Sequence, residues 1–335
     1  MAKSSRGPSI VAVAARAGVS HQTVSRVLNG FEGIRPATRA RVRAAIEELG
    51  YHRNFAARTL VTGRSHAIGM LGPELPNFGP MSNRYAVERA AREAGFHVLV
   101  TSAMLERDSL AEALDFLLGR SIDALVLVAQ HGSVREVVNE LLGGIPAVYL
   151  LTGGPPQDWN ISIDQQAGVR LAIEHLASLG HRAIQHVSGP LVFTEAELRR
   201  DEFARQIASR GFEDLPVIEG DWSADSGYIA GSRLDPRATA VFCANDQMAT
   251  GVVHALADRG LSVPRDVSVV GFDDIPESQH SMPPLTTVHQ DFDGVGRLAV
   301  EVLVARLDGE APPDYRPFQP WLVTRGSTGP RAASA

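Results

Sequence analysis

The sequence predicts an all-α helix-turn-helix head followed by a two-lobed α/β body with parallel sheets. Two short amphipathic helical patterns joined by a glycine-containing turn predict the head. Apolar runs that alternate with helical patterns over the rest of the 335 residues predict the body, which is long enough for two sheets. Charge separates the parts, because residues 1–62 carry ten basic and three acidic side chains while the whole chain has a net charge of −6. A head with a net charge of +7 on a body with a net charge of −13 indicates that the head, and not the body, binds a polyanion.

The first two helices of the head are bounded by capping residues. Ser9 can cap a helix that runs to about Ala17, and Gly18 can end it because glycine tolerates a positive φ. Ser20 can cap a second helix over residues 21–28. A third helix is predicted from position 36 or 37 to position 49, where a proline suits the first turn.

The second helix presents hydrogen-bonding side chains opposite its apolar side. Arg26 can bond O6 and N7 of guanine, Gln22 can bond N6 and N7 of adenine, and His21 can contact a base edge or a phosphate. Short polar side chains beside them suit phosphate oxygens. The alternative is a solvated polar face on a small helical bundle. The predicted DNA contacts of the head are Ser20, His21, Gln22, Thr23, Ser25, Arg26 and Asn29.

The head resembles a known family over its whole length. The stretch "AARAGVSHQTVSRVLNG", followed by "PATRARVRAAIEELGYHRNFAARTL", is similar to the DNA-binding head of the lactose-repressor (LacI/GalR) family. One departure is Ala12, at a position where the family usually has an acidic residue, and we expect only a small effect on the first helix. The resemblance implies a homodimer that places two heads on double-stranded operator DNA.

Residues 54–63 connect the head to the body. Asn54 can cap a short helix ending near Gly63, and a helix of this length is not stable alone in water, so we expect it to form on binding. The resemblance implies that this hinge helix pairs with its dimer mate and that Leu60 enters the minor groove. The alternative is an ordinary interdomain linker. The predicted DNA contacts here are Asn54, Ala57, Arg58 and Leu60.

The predicted body spans residues 64–335, after a head of residues 1–53. Two open α/β lobes bind ligands at the carboxyl ends of their strands, in the cleft between them. We expect one lobe at about 64–163 and 292–322, and the other at about 164–291 and 323–329.

Polar residues follow several of the predicted strands. A carboxylate can accept from two adjacent hydroxyls, arginine and asparagine can donate to sugar oxygens, and tryptophan can cover an apolar C–H face. This set of side chains suits a sugar. The alternatives are that Asp246 and Asp274 cap the next helix or turn, and that Trp222 is an ordinary core residue. The strand-end residues are Asn77, Arg107, Arg199, Trp222, Asn245, Asp246, Asp273 and Asp274.

The body resembles the same family, and the periplasmic sugar-binding fold, through "EGDWSADSGY", "CANDQMATG", "VSVVGFDD" and "PPLTTVHQDFDGVG". The resemblance implies a transcriptional repressor of carbohydrate-utilisation genes, released from its operator by a sugar or glycoside, with a β-galactoside as one candidate. It implies hydroxyl contacts from Arg199, Asn245 and Asp273, and a stacking platform at Trp222. The remaining implied contacts are Asn77, Arg107 at the rim, and Gln290 and Phe292 near a crossover between lobes.

Three positions depart from the family pattern beside this cleft. Leu150 stands where a member has an aspartate that reaches the sugar, and Phe193 and Glu195 replace two serines. The ligand therefore need not be lactose-like. A sugar-binding protein without a DNA role, or a regulator with a non-sugar effector such as a nucleobase, are the alternatives.

Several function classes find no support in the sequence. We identify no phosphate-binding glycine loop, no nucleophile elbow and no zinc spacing among the eleven histidines, so we expect no catalytic residue, metal or cofactor. Cys243 is the only cysteine, which excludes an intramolecular disulfide and suits a reducing cytoplasm. Arg16 interrupts the N-terminal apolar stretch, and no apolar run reaches about 18 residues, so we expect neither an export signal nor a membrane span. The final "TRGSTGPRAASA" lacks leucine heptads, which favours a dimer over a tetramer.

Overall fold

A computed structural model describes residues 8–28, 30–51, 64–74, 77–104, 106–129, 132–151 and 159–331. The chain divides into two compact units, residues 1–65 and residues 66–335. No helix in the described part of the chain is both long and apolar enough to cross a membrane.

The described part of the first unit contains three helices at the places that the capping pattern predicts. The Ser9 hydroxyl accepts from the Ala12 N–H at 3.3 Å, Gly18 has φ of +66°, and the Ser20 hydroxyl accepts from the Thr23 N–H at 3.2 Å. Val13, Val24 and Val42, one from each helix, are completely buried and form the centre of the core. The helices are α1 (Ile10–Ala17), α2 (His21–Leu28) and α3 (Pro36–Leu49).

The first lobe of the second unit is a parallel four-stranded sheet covered on both faces. The strand order is β2-β1-β3-β4, and apolar side chains fill both sides because helices cover both. Val126 and Val148 pack on one face, whereas Leu125 and Leu127 pack on the other. The strands are β1 (Ala67–Pro73), β2 (His97–Ala103), β3 (Ala124–Ala129) and β4 (Ala147–Leu151). The helices are α4 (Phe78–Glu93), α5 (Arg107–Leu118) and α6 (Gly132–Leu141).

The second lobe is a six-stranded sheet of order β10-β9-β8-β7-β5-β6, parallel except for β10. Its strands are β5 (Ile184–Ser188), β6 (Ile218–Glu219), β7 (Ala240–Cys243), β8 (Ser268–Asp273), β9 (Thr286–His289) and β10 (Trp321–Val323). Its helices are α7 (Gln165–Ser178), α8 (Thr194–Arg210), α9 (Ala224–Ser232) and α10 (Asp246–Asp258), with a short 3-10 helix at Pro276–Gln279. A last helix, α11 (Phe292–Asp308), packs on α4 of the first lobe.

The chain crosses between the lobes three times. At the first crossing Ile163 bridges Phe318, and Asp164 caps α7 by accepting from the Ala167 N–H at 2.8 Å. The second crossing lies between β9 and α11. The third lies before Trp321, which pairs with β9 and therefore belongs to the second lobe; the sequence places this crossing at about residue 322.

Candidate nucleic-acid interface and ligand cleft

Helix α2 buries one side and exposes the other. Val24 is buried, whereas His21, Gln22 and Arg26 are exposed on the opposite side. Their donors and acceptors are thus available to a partner of the head.

The short polar residues of α2 are more enclosed. The hydroxyls of Ser20 and Thr23 lie 3.0 Å apart, and Thr23 and Ser25 are half-buried. The contact between the Ser20 and Thr23 hydroxyls joins the residue before α2 to its first turn. The predicted DNA contacts Asn29, Asn54, Ala57, Arg58 and Leu60 lie outside the described residues and stay predictions.

Three arginines of the head contact other parts of it. The Arg26 guanidinium carbon lies 5.6 Å from the centre of the exposed Phe31 ring, and Arg39 donates to the Phe31 carbonyl at 2.9 Å. Arg16 pairs with Glu48 at 2.6 Å, which joins α1 to α3. The loop after α2 therefore positions Arg26, the candidate guanine reader.

A cleft of about 740 Å³, including its open mouth, lies between the lobes of the second unit. This size is typical of a small-molecule site. Seven of the eight predicted ligand contacts line it together: Asn77, Arg199, Trp222, Asn245, Asp273, Gln290 and Phe292.

The eighth predicted contact, Arg107, does not line the cleft. It begins α5 at the surface, and its guanidinium pairs with Glu140 of α6 at 2.8 Å. Both side chains are more than half exposed, so the pair ties two surface helices together. Arg107 is thus absent from the cleft lining, and its role as a ligand contact at the rim stays a prediction.

The cleft residues reach one place because strands of the second lobe end there. Asp273 is the last residue of β8, Asn245 follows β7 and caps α10, and Gln290 follows β9. Trp222 and Asp273 have φ of +74° and +110°, backbone conformations that are costly for residues other than glycine. The fold holds these two side chains in place despite that cost.

A chain of buried hydrogen bonds runs along the floor of the cleft. Arg199 Nε donates to Gln165 Oε1 at 2.8 Å, and Gln165 Nε2 donates to Gln290 Oε1 at 2.8 Å. Gln290 Nε2 in turn donates to Asp273 Oδ1 at 2.6 Å. Gln165 and Gln290 each stand at a crossing between the lobes, so the chain joins two of the three crossings.

The charged side chain of Arg199 is almost completely buried. It is 4% exposed, donates to the Ala244 carbonyl, and its guanidinium carbon lies 4.0 Å from the centre of the Phe272 ring. Burial lowers the pKa of Arg199, and the nearby Asp273 carboxyl acts in the opposite direction. The guanidinium is therefore a strong donor facing the cleft.

Burial raises the pKa of Asp273 to about 7, although the Arg199 guanidinium lowers it and the Asp246 carboxyl adds to the rise. The carboxyl therefore stands near the midpoint of its titration at neutral pH. Such a group can accept or donate a hydrogen bond, according to what occupies the cleft.

The neighbouring carboxylates Asp246 and Asp274 bind other side chains of the second lobe. Asp246 accepts from the hydroxyls of Thr287 at 2.6 Å and Ser278 at 2.7 Å. Asp274 pairs with His289 at 2.9 Å and Arg325 at 2.6 Å. Neither lines the cleft, and the residue that caps α10 is Asn245, not Asp246.

Trp222 offers both a ring and a donor to the cleft. Its ring stacks on Phe193, with centres 6.5 Å apart, and its indole N–H is buried with no acceptor among the described residues. Gly189 makes room for it, because a Cβ there would lie 2.2 Å from the indole ring. Asn83 Oδ1, also in the cleft lining, is likewise buried without a donor from the described part of the chain.

The two walls of the cleft differ in polarity. The second lobe and its crossings supply the charged groups and most of the amides, whereas the amides of Asn77 and Asn83 come from the first lobe; the charged groups include Glu195. The first lobe supplies mainly apolar side chains: Phe78, Val128, Leu150, Ile161, Phe292 and Val295. Sequence reasoning missed Gln165 and Asn83; for Gln165, its place directly after the helix-capping Asp164 was the available signal. Among the described residues, no three His, Cys, Asp or Glu side chains are grouped so as to hold a metal ion.

Family models match both parts of the chain. Residues 9–54 match the model "Bacterial regulatory proteins, lacI family", and residues 173–328 match "Periplasmic binding protein-like domain". The HTH-type transcriptional regulator reg1 of Streptomyces lividans is 35% identical, over 94% of this chain and 95% of its own. The lactose operon repressor of Escherichia coli K12 is 34% identical, over 94% of this chain and 89% of its own.

Solved structures agree with these matches. The lac repressor dimer bound to operator and the anti-inducer ONPF has a TM-score of 0.87 and 32% identity, and covers 97% of this chain and 100% of that one. The complex of the transcriptional regulator CelR with cellobiose has a TM-score of 0.69 and 31% identity, and covers 96% and 99% of the two chains.

Asp273 should make the stability of the ligand-free protein depend on pH. Its pKa rises from 3.8 to about 7 on folding, so the stabilisation it gives is complete below pH 3.8 and is lost as the pH rises through 7. We expect the free energy of unfolding to decline more steeply between pH 5 and pH 7 in the wild type than in Asp273→Asn, by up to about 1.4 kcal/mol per pH unit. Urea denaturation at a series of pH values measures this.

The exposed Asp258 provides a matched control. Asp258→Asn should keep the wild-type pH profile, since this carboxyl lies at the surface beside Tyr228. Parallel profiles for the wild type and Asp273→Asn would contradict the raised pKa.

Proposed function

The chain belongs to the lacI family of bacterial regulatory proteins, and from that premise we propose that it is a sequence-specific DNA-binding repressor of carbohydrate-utilisation genes. A sugar or glycoside bound between the lobes releases it from a near-palindromic operator. The observation that carries the DNA-binding role is helix α2, which turns His21, Gln22 and Arg26 outward inside the segment that matches the family model.

The chemistry of α2 supports direct reading of bases. A helix fits the major groove, where arginine recognises guanine and glutamine recognises adenine through two hydrogen bonds each. The net charge of +7 on residues 1–62 supplies phosphate attraction, which weakens as salt rises. The remainder of the chain, at −13, is repelled by the same phosphates, so contact is confined to the head and linker.

The floor of the cleft supports a polyhydroxylated ligand. A hydroxyl group both donates and accepts, so it can satisfy the Arg199 guanidinium, the Asp273 carboxyl and the Trp222 indole N–H. Burial of such groups is costly without partners, and a sugar would provide them. The Trp222 ring would cover an apolar C–H face of the ligand.

The same hydrogen-bond chain provides a route from ligand to DNA. Gln165 and Gln290 stand at crossings between the lobes, so a ligand that engages Arg199 and Asp273 favours one arrangement of the crossings over another. A differential affinity of about 1–3 kcal/mol changes DNA affinity about 5- to 150-fold. The hinge at residues 54–63 is the proposed receiver of this change.

We also propose a cytoplasmic homodimer. Two heads related by two-fold symmetry match a near-palindromic operator. The similar lac repressor structure is described as a dimer bound to operator, which supports the same assembly here.

Replacing Arg26 should remove sequence discrimination. With a duplex selected from a random pool by the full chain, Arg26→Ala should lose about 1–3 kcal/mol of preference for that duplex over a scrambled one, because the two bonds to guanine are gone. Fluorescence anisotropy at fixed salt measures both affinities. Arg43→Ala is the control: it removes an exposed arginine from α3 and should keep the preference. A wild-type chain that recovers no duplex at low salt would contradict the DNA-binding role.

A thermal-shift screen of mono- and disaccharides should identify the ligand. A saccharide that fits the cleft should raise the Tm of the wild type, and its affinity should fall more than about tenfold in Asp273→Asn, because one of the two carboxyl oxygens that can accept from ligand hydroxyls is replaced by an amide N–H₂ group. Asp258→Asn should respond as the wild type does. Failure of all saccharides, with a positive response to nucleobases, would refute the sugar and leave the regulator. Equal shifts in all three proteins would refute the site.

A further inference from the structure

The loop between α2 and α3 carries an aromatic ring that lies outside the core of the head. Phe31 is 53% exposed, and it is not part of the cluster formed around Val13, Val24 and Val42. Exposed apolar side chains are common on protein surfaces, so the contacts of this ring, rather than its exposure, decide what it does.

The backbone around Phe31 forms a Schellman ending of α2. The Phe31 N–H donates to the Arg26 carbonyl at 3.0 Å, and the Gly30 N–H donates to the Val27 carbonyl at 3.2 Å. Gly30 has φ of +73°, the left-handed conformation that this motif requires. In the motif, the side chain after the glycine commonly packs against the residue whose carbonyl its N–H binds. In this chain those two residues are Phe31 and Arg26.

The loop that carries the ring is held on two sides. Arg39 Nη2 donates to the Phe31 carbonyl at 2.9 Å, which ties the loop to α3. A Cβ at Gly33 would lie 2.6 Å from Cε1 of the Phe31 ring, so the ring occupies space that glycine leaves open. The ring is therefore placed by the head itself, before any partner binds.

The ring contacts Arg26, the candidate guanine reader, without using the donors that guanine needs. The Arg26 guanidinium carbon lies 5.6 Å from the centre of the Phe31 ring, within the range of a cation–π contact. Such a contact uses the charge of the guanidinium, whereas its N–H donors lie in the plane of the group and bond at its edge. A carboxylate in the same place would take those donors and neutralise the charge. The aromatic ring can therefore restrain Arg26 and still leave it able to bond O6 and N7 of guanine.

We propose that Phe31 is a positioning residue for Arg26, and that its ring holds the guanidinium in place to bond one guanine of the operator. This inference rests on the DNA-binding role proposed above. A long side chain loses rotamer entropy when it binds, and a side chain that is already restrained loses less. Phe31 therefore strengthens discrimination at the one base pair that Arg26 reads.

Base-pair discrimination by loop variants tests the proposal. The duplex selected by the full chain is compared with duplexes in which each G·C pair in turn is replaced by A·T, and fluorescence anisotropy at fixed salt measures each affinity. The pair read by Arg26 is the one at which Arg26→Ala no longer discriminates. At that pair, Phe31→Leu should lower the wild-type discrimination about two- to fivefold, the size of an exposed cation–π contact, and should keep it at the others. Phe31→Tyr retains an aromatic ring and should retain the discrimination.

Two controls separate positioning from other roles of the loop. Glu32→Gln changes the adjacent exposed residue and should discriminate at this pair as the wild type does. Phe31→Leu added to Arg26→Ala should bind the selected duplex as tightly as Arg26→Ala alone, because the ring acts only through the guanidinium.

Four results would overturn the positioning role. They are wild-type discrimination by Phe31→Leu, an equal loss in Phe31→Tyr or Glu32→Gln, a loss spread over all base pairs, and a further loss in the double variant. Each of them leaves the DNA-binding role in place, because the wild type still selects a duplex. A wild type that selects no duplex would overturn both proposals.

Discussion

The buried Arg199 guanidinium is the constraint around which the cleft is organised. At 4% exposure it has to be satisfied by the protein, and Gln165, the Ala244 carbonyl and the Phe272 ring do so from three different elements. Asp273 lies close enough to sense this charge yet remains so desolvated that its pKa is raised to about 7. The pair is therefore incompletely neutralised in the ligand-free cleft. Under the proposed function, a polyhydroxylated ligand would bond to these two groups, and the hydrogen-bond chain that includes them would link ligand binding to the crossings between the lobes.

Much of this arrangement follows from the sequence, for physical reasons. Caps such as Ser9 and Gly18 fix the helix ends locally, and long apolar runs fix the buried strands, so the head and the two α/β lobes are predictable. Asp273 and Asn245 are predictable because parallel strands end at one edge. Strands β9 and β10 are harder to predict from the sequence, because they are only four and three residues long and β10 pairs antiparallel to β9. The pairing of Arg107 with Glu140 is not predictable, because the two residues lie 33 positions apart in the sequence.

Leu150 and Glu195 are two cleft residues that depart from the family pattern. Both line it, with Leu150 buried in the apolar wall of the first lobe and Glu195 in the polar wall of the second. A ligand that fits both walls has one hydroxyl-rich side and one apolar side. The family pattern alone does not predict that one wall is polar and the other apolar, because this depends on which lobe each side chain comes from.

Operator affinity with and without the cleft ligand tests the central claim most directly. Fluorescence anisotropy of the full chain on its selected duplex should show affinity falling by about 5- to 150-fold at a saturating concentration of the saccharide found by thermal shift. Asp273→Asn should bind the duplex as the wild type does and should lose this response at the same concentration. Unchanged operator affinity of the wild type at full cleft occupancy would contradict the account.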